Sequence, residues 1–297
     1  MDTLKYVVVD AFTTIPLTGN PAAVIVLPPA TNLPDALALK IAAEFNLSET
    51  AFLLSKSKEG ETEDSETITY GLRWFTPTTE IVLCGHGTLA SAKVLFEEPG
   101  LIPERVTTLR FETLSGILTA KKVSGGQIEL EFPVADFVAV GPGIKARVIE
   151  AVTEALGSPV AIHDIHKGGI FLMIRLEESF NLEGAVVNAS PFLKLTDQCL
   201  GVILTSQHPS AIAPHAKFVS RAFGPALGSN EDPVCGSAHC LLAPYWSQLL
   251  MIPPGEVIPA RQVSPRGGDL DIIWEKAKGT VKIRGRAVFT ARGEMYI

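Results

Sequence analysis

The chain reads as a succession of short apolar runs broken by turn residues. Tyr6–Phe12 and Ala22–Leu27 are two such runs, separated by the turn-forming Thr18-Gly19-Asn20-Pro21. Thr50–Leu54 and Thr67–Phe75 continue the pattern, and the charged stretch Lys56–Glu66 between them predicts a hairpin loop. Thr108–Leu114, Leu118–Val123 and Gln127–Phe132 follow, with Gly125-Gly126 as a turn. In the second half, Gly169–Leu176, Gly201–Thr205, Ala216–Phe223, Ile272–Trp274, Thr280–Ile283 and Ala287–Thr290 have the same character. Helical spacing is rarer. Leu37, Ile41 and Phe45 recur at it within Pro34–Phe45, and Arg147–Leu156 reads as a second helix. Many strands with about one strong helix per half predict an α+β protein rather than a doubly wound parallel sheet.

One pattern occurs twice. Phe75-Thr76-Pro77 is followed by Cys84-Gly85-His86-Gly87 and the helical run Thr88–Phe96. Phe223-Gly224-Pro225 is followed by Cys235-Gly236-Ser237-Ala238 and the helical run His239–Leu249. A strand, a loop, Cys-Gly-polar-small and a helix in the same order predict a duplicated unit. A length of 297 residues accommodates two such domains.

Composition narrows the classes. The chain is 46% hydrophobic and 19% charged, too apolar for a disordered protein. A net charge of −7 with no basic stripe argues against nucleic-acid binding. The N-terminal Met1-Asp2-Thr3-Leu4-Lys5 lacks signal-peptide character, and no run approaches a membrane span of about 20 apolar residues. Four cysteines (Cys84, Cys199, Cys235, Cys240) are sparse for a disulfide scaffold, and none has zinc-site spacing with histidine. These features predict a cytoplasmic protein with reduced thiols. Neither a dinucleotide fingerprint nor a P-loop is present, and Arg266-Gly267-Gly268-Asp269 reads as a hairpin turn. His163 with His166, and His208 with His215, read as surface-loop residues rather than metal ligands, and Asp10 as a structural residue near a turn.

The repeated Cys-Gly segments are where chemistry is expected. Small residues let a ligand approach the backbone, and the first N–H groups of a helix attract anions such as carboxylates. The same field lowers a nearby thiol's pKa, so Cys84 and Cys235 are candidate thiolates, weighed against buried cysteines that merely pack. Cys199 and Cys240 take that second reading. His86 lies within the first loop, Asp232 precedes Cys235 by three, and Glu49 lies between the first helix and a strand. Burial of Glu49 would raise its pKa toward that of a general acid. The structural alternative is that Glu49 caps a turn and Asp232 caps the second helix.

At this point several blocks resemble the phenazine-biosynthesis PhzF-like family. They are Val8-Val9-Asp10-Ala11-Phe12, Thr18-Gly19-Asn20-Pro21-Ala22-Ala23-Val24, Asn46-Leu47-Ser48-Glu49-Thr50-Ala51-Phe52 and Leu72-Arg73-Trp74-Phe75-Thr76-Pro77. Two more are Leu83-Cys84-Gly85-His86-Gly87-Thr88-Leu89-Ala90 and Glu231-Asp232-Pro233-Val234-Cys235-Gly236-Ser237-Ala238-His239. The stretch from about Phe137 to Gln207 carries little of the resemblance.

The resemblance implies the diaminopimelate-epimerase-like fold: two pseudo-symmetric domains, each a β-barrel-like sheet around a central helix, with the site in the cleft between them. It places residues 1–120 in the first domain, rejoined by 287–297, and 121–286 in the second. It implies a cofactor-independent isomerase with no metal, acting on a small carboxylate. Glu49 would carry the proton, with His86 and Asp232 assisting. Asn20, Ser48, Gly85, Gly87, Gly236, Ser237 and Ala238 are the candidate substrate-binding residues. The family's first enzyme is a homodimer, so the resemblance admits that state. Cysteine at both loop starts is instead the pattern of diaminopimelate epimerases and proline racemases, where two thiols flank one carbon. A two-cysteine racemase using Cys84 and Cys235 is therefore the second reading, and a binding protein on the same fold the third.

Overall fold

The computed structural model of the chain describes residues 3–29, 31, 33–56 and 66–297. The core of the expected Lys56–Glu66 hairpin loop, residues 57–65, lies outside them. The chain divides into two units, Met1–Phe132 with Ile283–Ile297, and Pro133–Lys282.

The first unit begins with β1 (Thr3–Ala11), β2 (Asn20–Leu27), helix α1 (Asp35–Phe45), β3 (Glu49–Ser55) and β4 (Thr67–Phe75). It continues with β5 (Glu80–Ile81), helix α2 (Gly85–Glu97), β6 (Thr108–Thr113), β7 (Gly116–Val123) and β8 (Gln127–Pro133). The β1–β2 pair is antiparallel, β2–β3 parallel, β3–β4 antiparallel, β4–β6 parallel and β6–β7 antiparallel. Each parallel pair needs a crossover, and α1 and α2 supply them. Ala38, Ile41 and Ala42 set one apolar stripe of α1 against Ile25, Phe52 and Phe75. Asn46 ends α1 in the left-handed region at φ 49°. Helix α2 is buried on nearly every face, from Thr88 through Leu95, which fits a helix enclosed by its own sheet. The β7–β8 hairpin carries this unit to Phe132 rather than stopping near residue 120.

The second unit runs β9 (Val138–Ala139), helix α3 (Pro142–Leu156), β10 (Ile162–Gly168), β11 (Phe171–Leu176), β12 (Gly201–Ser206), β13 (Phe218–Gly224) and β14 (Ser229–Asp232). Helix α4 (Gly236–Leu249), β15 (Val257–Gln262), β16 (Gly268–Glu275) and β17 (Thr280–Gly285) follow. Its pairings repeat the first unit's order: β10–β11 antiparallel, β11–β12 parallel, β12–β13 antiparallel, β13–β15 parallel and β15–β16 antiparallel. The repeated sequence pattern thus corresponds to a repeated topology, with α2 and α4 each bridging a parallel pair. Val148, Ala151, Val152 and Ala155 form the apolar stripe of α3 over the β11–β12 face. Within α4, Pro244 has no N–H to give the Cys240 carbonyl, and Ala135 donates to that carbonyl instead, at 3.2 Å.

The last strand, β18 (Ala287–Tyr296), pairs antiparallel with β1 over its whole length. His163 and His166 lie in strand β10, not in a surface loop. A register shift between Ile162 and Asp164 hid that strand: it puts Ile162 and Ile165, three residues apart, on one face and breaks the alternation a strand is read from. Of Arg266–Asp269, Arg266 and Gly267 end the connection between β15 and β16, while Gly268 and Asp269 already pair with Gln262 and Arg261. Among the described residues, no helix is long and apolar enough to cross a membrane.

Candidate active site

In the first unit, three of the candidate side chains meet. Glu49 opens β3, Cys84 is the N-cap of α2, and His86 lies in its first turn. His86 Nε2 lies 2.9 Å from Glu49 Oε2, and its Nδ1 lies 3.5 Å from Cys84 Sγ. Cys84 Sγ also accepts the Gly87 N–H at 3.2 Å, so the sulfur caps a helix donor that would otherwise be orphaned. Ser48 Oγ lies 3.3 Å from His86 Nε2 and 3.4 Å from Asn20 Oδ1. Asn20 and His86 are buried, and the Glu49 side chain is 15% exposed. Glu49 Oε2 is sealed from solvent and is held by its close charged contact with the His86 ring. Gly87 is required by packing: a Cβ there would lie 2.8 Å from Trp74 Cδ1 and 3.0 Å from Cys84 Sγ.

The electrostatics correct two sequence expectations. Burial pushes Glu49 up, as expected, but the His86 charge and hydrogen bonding outweigh it and the pKa falls below the ordinary value. Glu49 is therefore a carboxylate at rest, suited to be a base. Burial disfavours the charged His86 ring, yet Cys84 and Glu49 beside it raise its pKa well above the ordinary value. Burial likewise raises the Cys84 thiol, so it is not the thiolate that the helix N-terminus alone suggested. Glu49, Cys84 and His86 have ligand atoms within 4.8 Å of one another. Their spacing would admit a single ion. The contacts also place Glu49 and Cys84 at opposite nitrogens of one ring, the order of a proton-relay chain.

A pH dependence follows. Glu49, with a lowered pKa, adds stability that is complete above its ordinary value of 4.5 and is lost as pH falls through the folded value. His86, with a raised pKa, adds stability that is complete below its ordinary 6.5 and is lost as pH rises through the folded value. The pair contributes fully between those two ordinary values. In His86→Gln only burial and Ser48 act on Glu49, so its titration should move to higher pH. Carboxyl ¹³C NMR of Glu49 measures this directly, and an unmoved midpoint would refute the coupling.

In the second unit, Asp232 ends β14 and Cys235 is the N-cap of α4. Gly236, Ser237 and Ala238 form the first turn of that helix, and Cys235 Sγ lies 3.3 Å from the exposed Ser237 Oγ. The N-cap residue of this helix, Cys235, makes no aligned side-chain capping bond. Burial, with the Asp232 charge, lifts the Cys235 thiol well above its ordinary range, again contrary to a resting thiolate. All four cysteines are free and buried. Cys240 is pushed up to about 12 and sits as packing in α4. Asp10 accepts the Leu17 N–H at 2.7 Å, a structural role.

The two helix starts share a further detail. Thr88 Oγ1 donates to the Cys84 carbonyl at 2.6 Å, and His239 Nδ1 meets the Cys235 carbonyl at 2.7 Å. Each partner lies four residues after the cysteine. Thr88, Trp74 and His239 carry no role in the sequence reading beyond their place in the resembling blocks, because their partners are set by the fold.

Comparison with known proteins agrees with this architecture. The profile of the phenazine biosynthesis-like protein family, PhzC-PhzF, matches residues 9–293. An uncharacterized isomerase of Halalkalibacterium halodurans is 40% identical over 299 residues, covering 100% of both chains. The crystal structure of a PhzF-family phenazine biosynthesis protein from Enterococcus faecalis superposes with a TM-score of 0.80 at 39% identity, covering 100% of both chains. In fold alone, a hydroxyproline epimerase from Agrobacterium vitis aligns with a TM-score of 0.57 at 12% identity, over 99% of this chain and 92% of that one. The α+β fold is thus the epimerase-like one, and the chain belongs to the phenazine biosynthesis-like family of isomerases.

Proposed function

We propose that the chain moves a proton within a small carboxylate-bearing substrate, with the Glu49 carboxylate as the proton carrier and no cofactor. The observation that carries this reading is the largely buried Glu49 carboxylate, held 2.9 Å from the His86 ring and kept ionised by it. Perturbed, partnered carboxylates of this kind cluster at functional sites. Glu49 takes a proton from carbon, His86 stabilises its charged form, and the proton returns from Glu49 to a second position. Asp232 and the first-turn amides of Gly236, Ser237 and Ala238 are assigned assisting and anion-holding parts.

Matched cysteines at the two N-caps favour the second reading, a two-thiol racemase or epimerase. Against it stand the raised pKa of both thiols and the engagement of Cys84 Sγ as a helix cap. Incubating a panel of amino and hydroxy-unsaturated carboxylates in heavy water separates the two. Under the Glu49 reading, deuterium uptake survives in Cys84→Ser and Cys235→Ser. Uptake lost in Cys235→Ser but retained in Glu49→Gln would overturn it in favour of the thiol pair.

A further inference from the structure

Past Asp232, the segment Asp232–Cys235 lies in neither a helix nor a sheet ladder; Asp232 and Pro233 are half-buried, and Val234 and Cys235 are buried. Buried backbone polar groups outside regular structure need other partners. Three side chains bond to this segment. Gln262 Oε1 accepts the Cys235 N–H at 2.9 Å, and Gln262 Nε2 donates to the Asp232 carbonyl. Ser264 Oγ donates to the Pro233 carbonyl at 2.7 Å, and His239 Nδ1 holds the Cys235 carbonyl. Gln262 and His239 are fully buried and Ser264 nearly so.

We propose that Gln262 is the positioning residue of this segment, its carboxamide taking the place of a neighbouring strand, with Ser264 and His239 completing the clamp. The inference deepens the proposed function, because it rests on Asp232 and the first turn of α4 serving that reaction. The orientation of the carboxamide is dictated by its partners: a flipped group would set donor against donor at Cys235 and acceptor against acceptor at Asp232. Both bonds arise from one planar group, so they fix the distance between the two ends of the segment as well as its direction. The His239 tautomer is fixed in the same way. A carbonyl partner requires the proton on Nδ1, and burial keeps the ring neutral with its pKa lowered to about 4. Glutamine at 262 suits the task because it donates and accepts without charge. The clamp comes from the end of β15 and the turn after it, so that hairpin sets the position of Asp232 without touching substrate.

The test compares wild type with Gln262→Met and Gln262→Glu by amide hydrogen exchange at Cys235, corrected for intrinsic rates, alongside turnover. In Gln262→Met, exchange at Cys235 should quicken about tenfold or more while amides in α3 and β11 are unchanged. Turnover should show kcat reduced about tenfold with KM changed less than about threefold. In Gln262→Glu, the protonated carboxyl keeps one donor and one acceptor, so protection should match wild type near about pH 5. Protection and turnover should then fall together toward about pH 9, as a buried carboxyl ionises. Unchanged Cys235 exchange in folded Gln262→Met overturns the clamp. Should that variant not fold, the Gln262→Glu series decides, and protection that does not vary with pH overturns it. The exchange measurement needs no turnover, so failure of the Glu49 assignment and failure of the clamp give different results.

Discussion

Glu49→Gln is expected to lower turnover by about 10²–10⁴-fold, the range for loss of a positioned acid–base group. The substitution is nearly isosteric, so β3 keeps its register, with Thr50 opposite Phe75. An amide cannot take up the proton, and it no longer holds a charge on His86. The ring lies in a buried place that disfavours its charged form, so it reverts to neutral and the fold survives. Initial rates on whichever carboxylate takes up deuterium, with melting temperature measured in parallel, check the outcome. Activity within about tenfold of wild type would remove Glu49 from the mechanism. His86→Gln should do less harm at neutral pH, because it alters the proton affinity of the carrier and leaves the carrier in place.

Trp246→Ala should cost about 3–5 kcal/mol of stability, as expected for deleting a large buried aromatic group. Trp246 is completely buried in α4 and stacks on Phe218 with ring centres 5.0 Å apart and planes 8° apart. Its Nε1–H donates to Thr205 Oγ1 at 3.0 Å, and Thr205 in turn donates to the Val219 carbonyl at 2.8 Å. Alanine therefore leaves a cavity and a hydroxyl short of a partner. Phe218 also stacks on His239, so the loss should loosen the residue that holds the Cys235 carbonyl. Urea titration by circular dichroism, analysed without assuming one transition for both units, measures the loss. A destabilisation below about 1 kcal/mol would show that the cavity collapses without penalty.

How much of this was legible in the sequence depended on whether the signal was local. Thr67–Phe75 was read with its full bounds, because its aromatic and β-branched residues end at a Thr-Pro turn. The starts of α2 and α4 were visible as repeated Cys-Gly segments. Strand β15 was not, because Pro259 lies inside it and a proline argues against a strand. The charge states of Glu49, Cys84 and Cys235 were misread for one shared reason. Helix-end fields and local burial can be guessed along the chain. A partner such as His86, aimed at Glu49 from another element, and complete burial of a capping thiol belong to the tertiary structure. Gln262 was beyond sequence reasoning altogether, since it lies 27 residues from the amide it serves.

The pairing of β18 with β1 ties together the two separate segments of the first unit, down to a hydrogen bond from Thr290 Oγ1 to the Val8 carbonyl. In synthesis, residues 133–282 of the second unit are made before β18, so the sheet of the first unit can close only after them. Until then β1 lacks its β18 partner along one edge, the kind of open strand edge that invites wrong pairings.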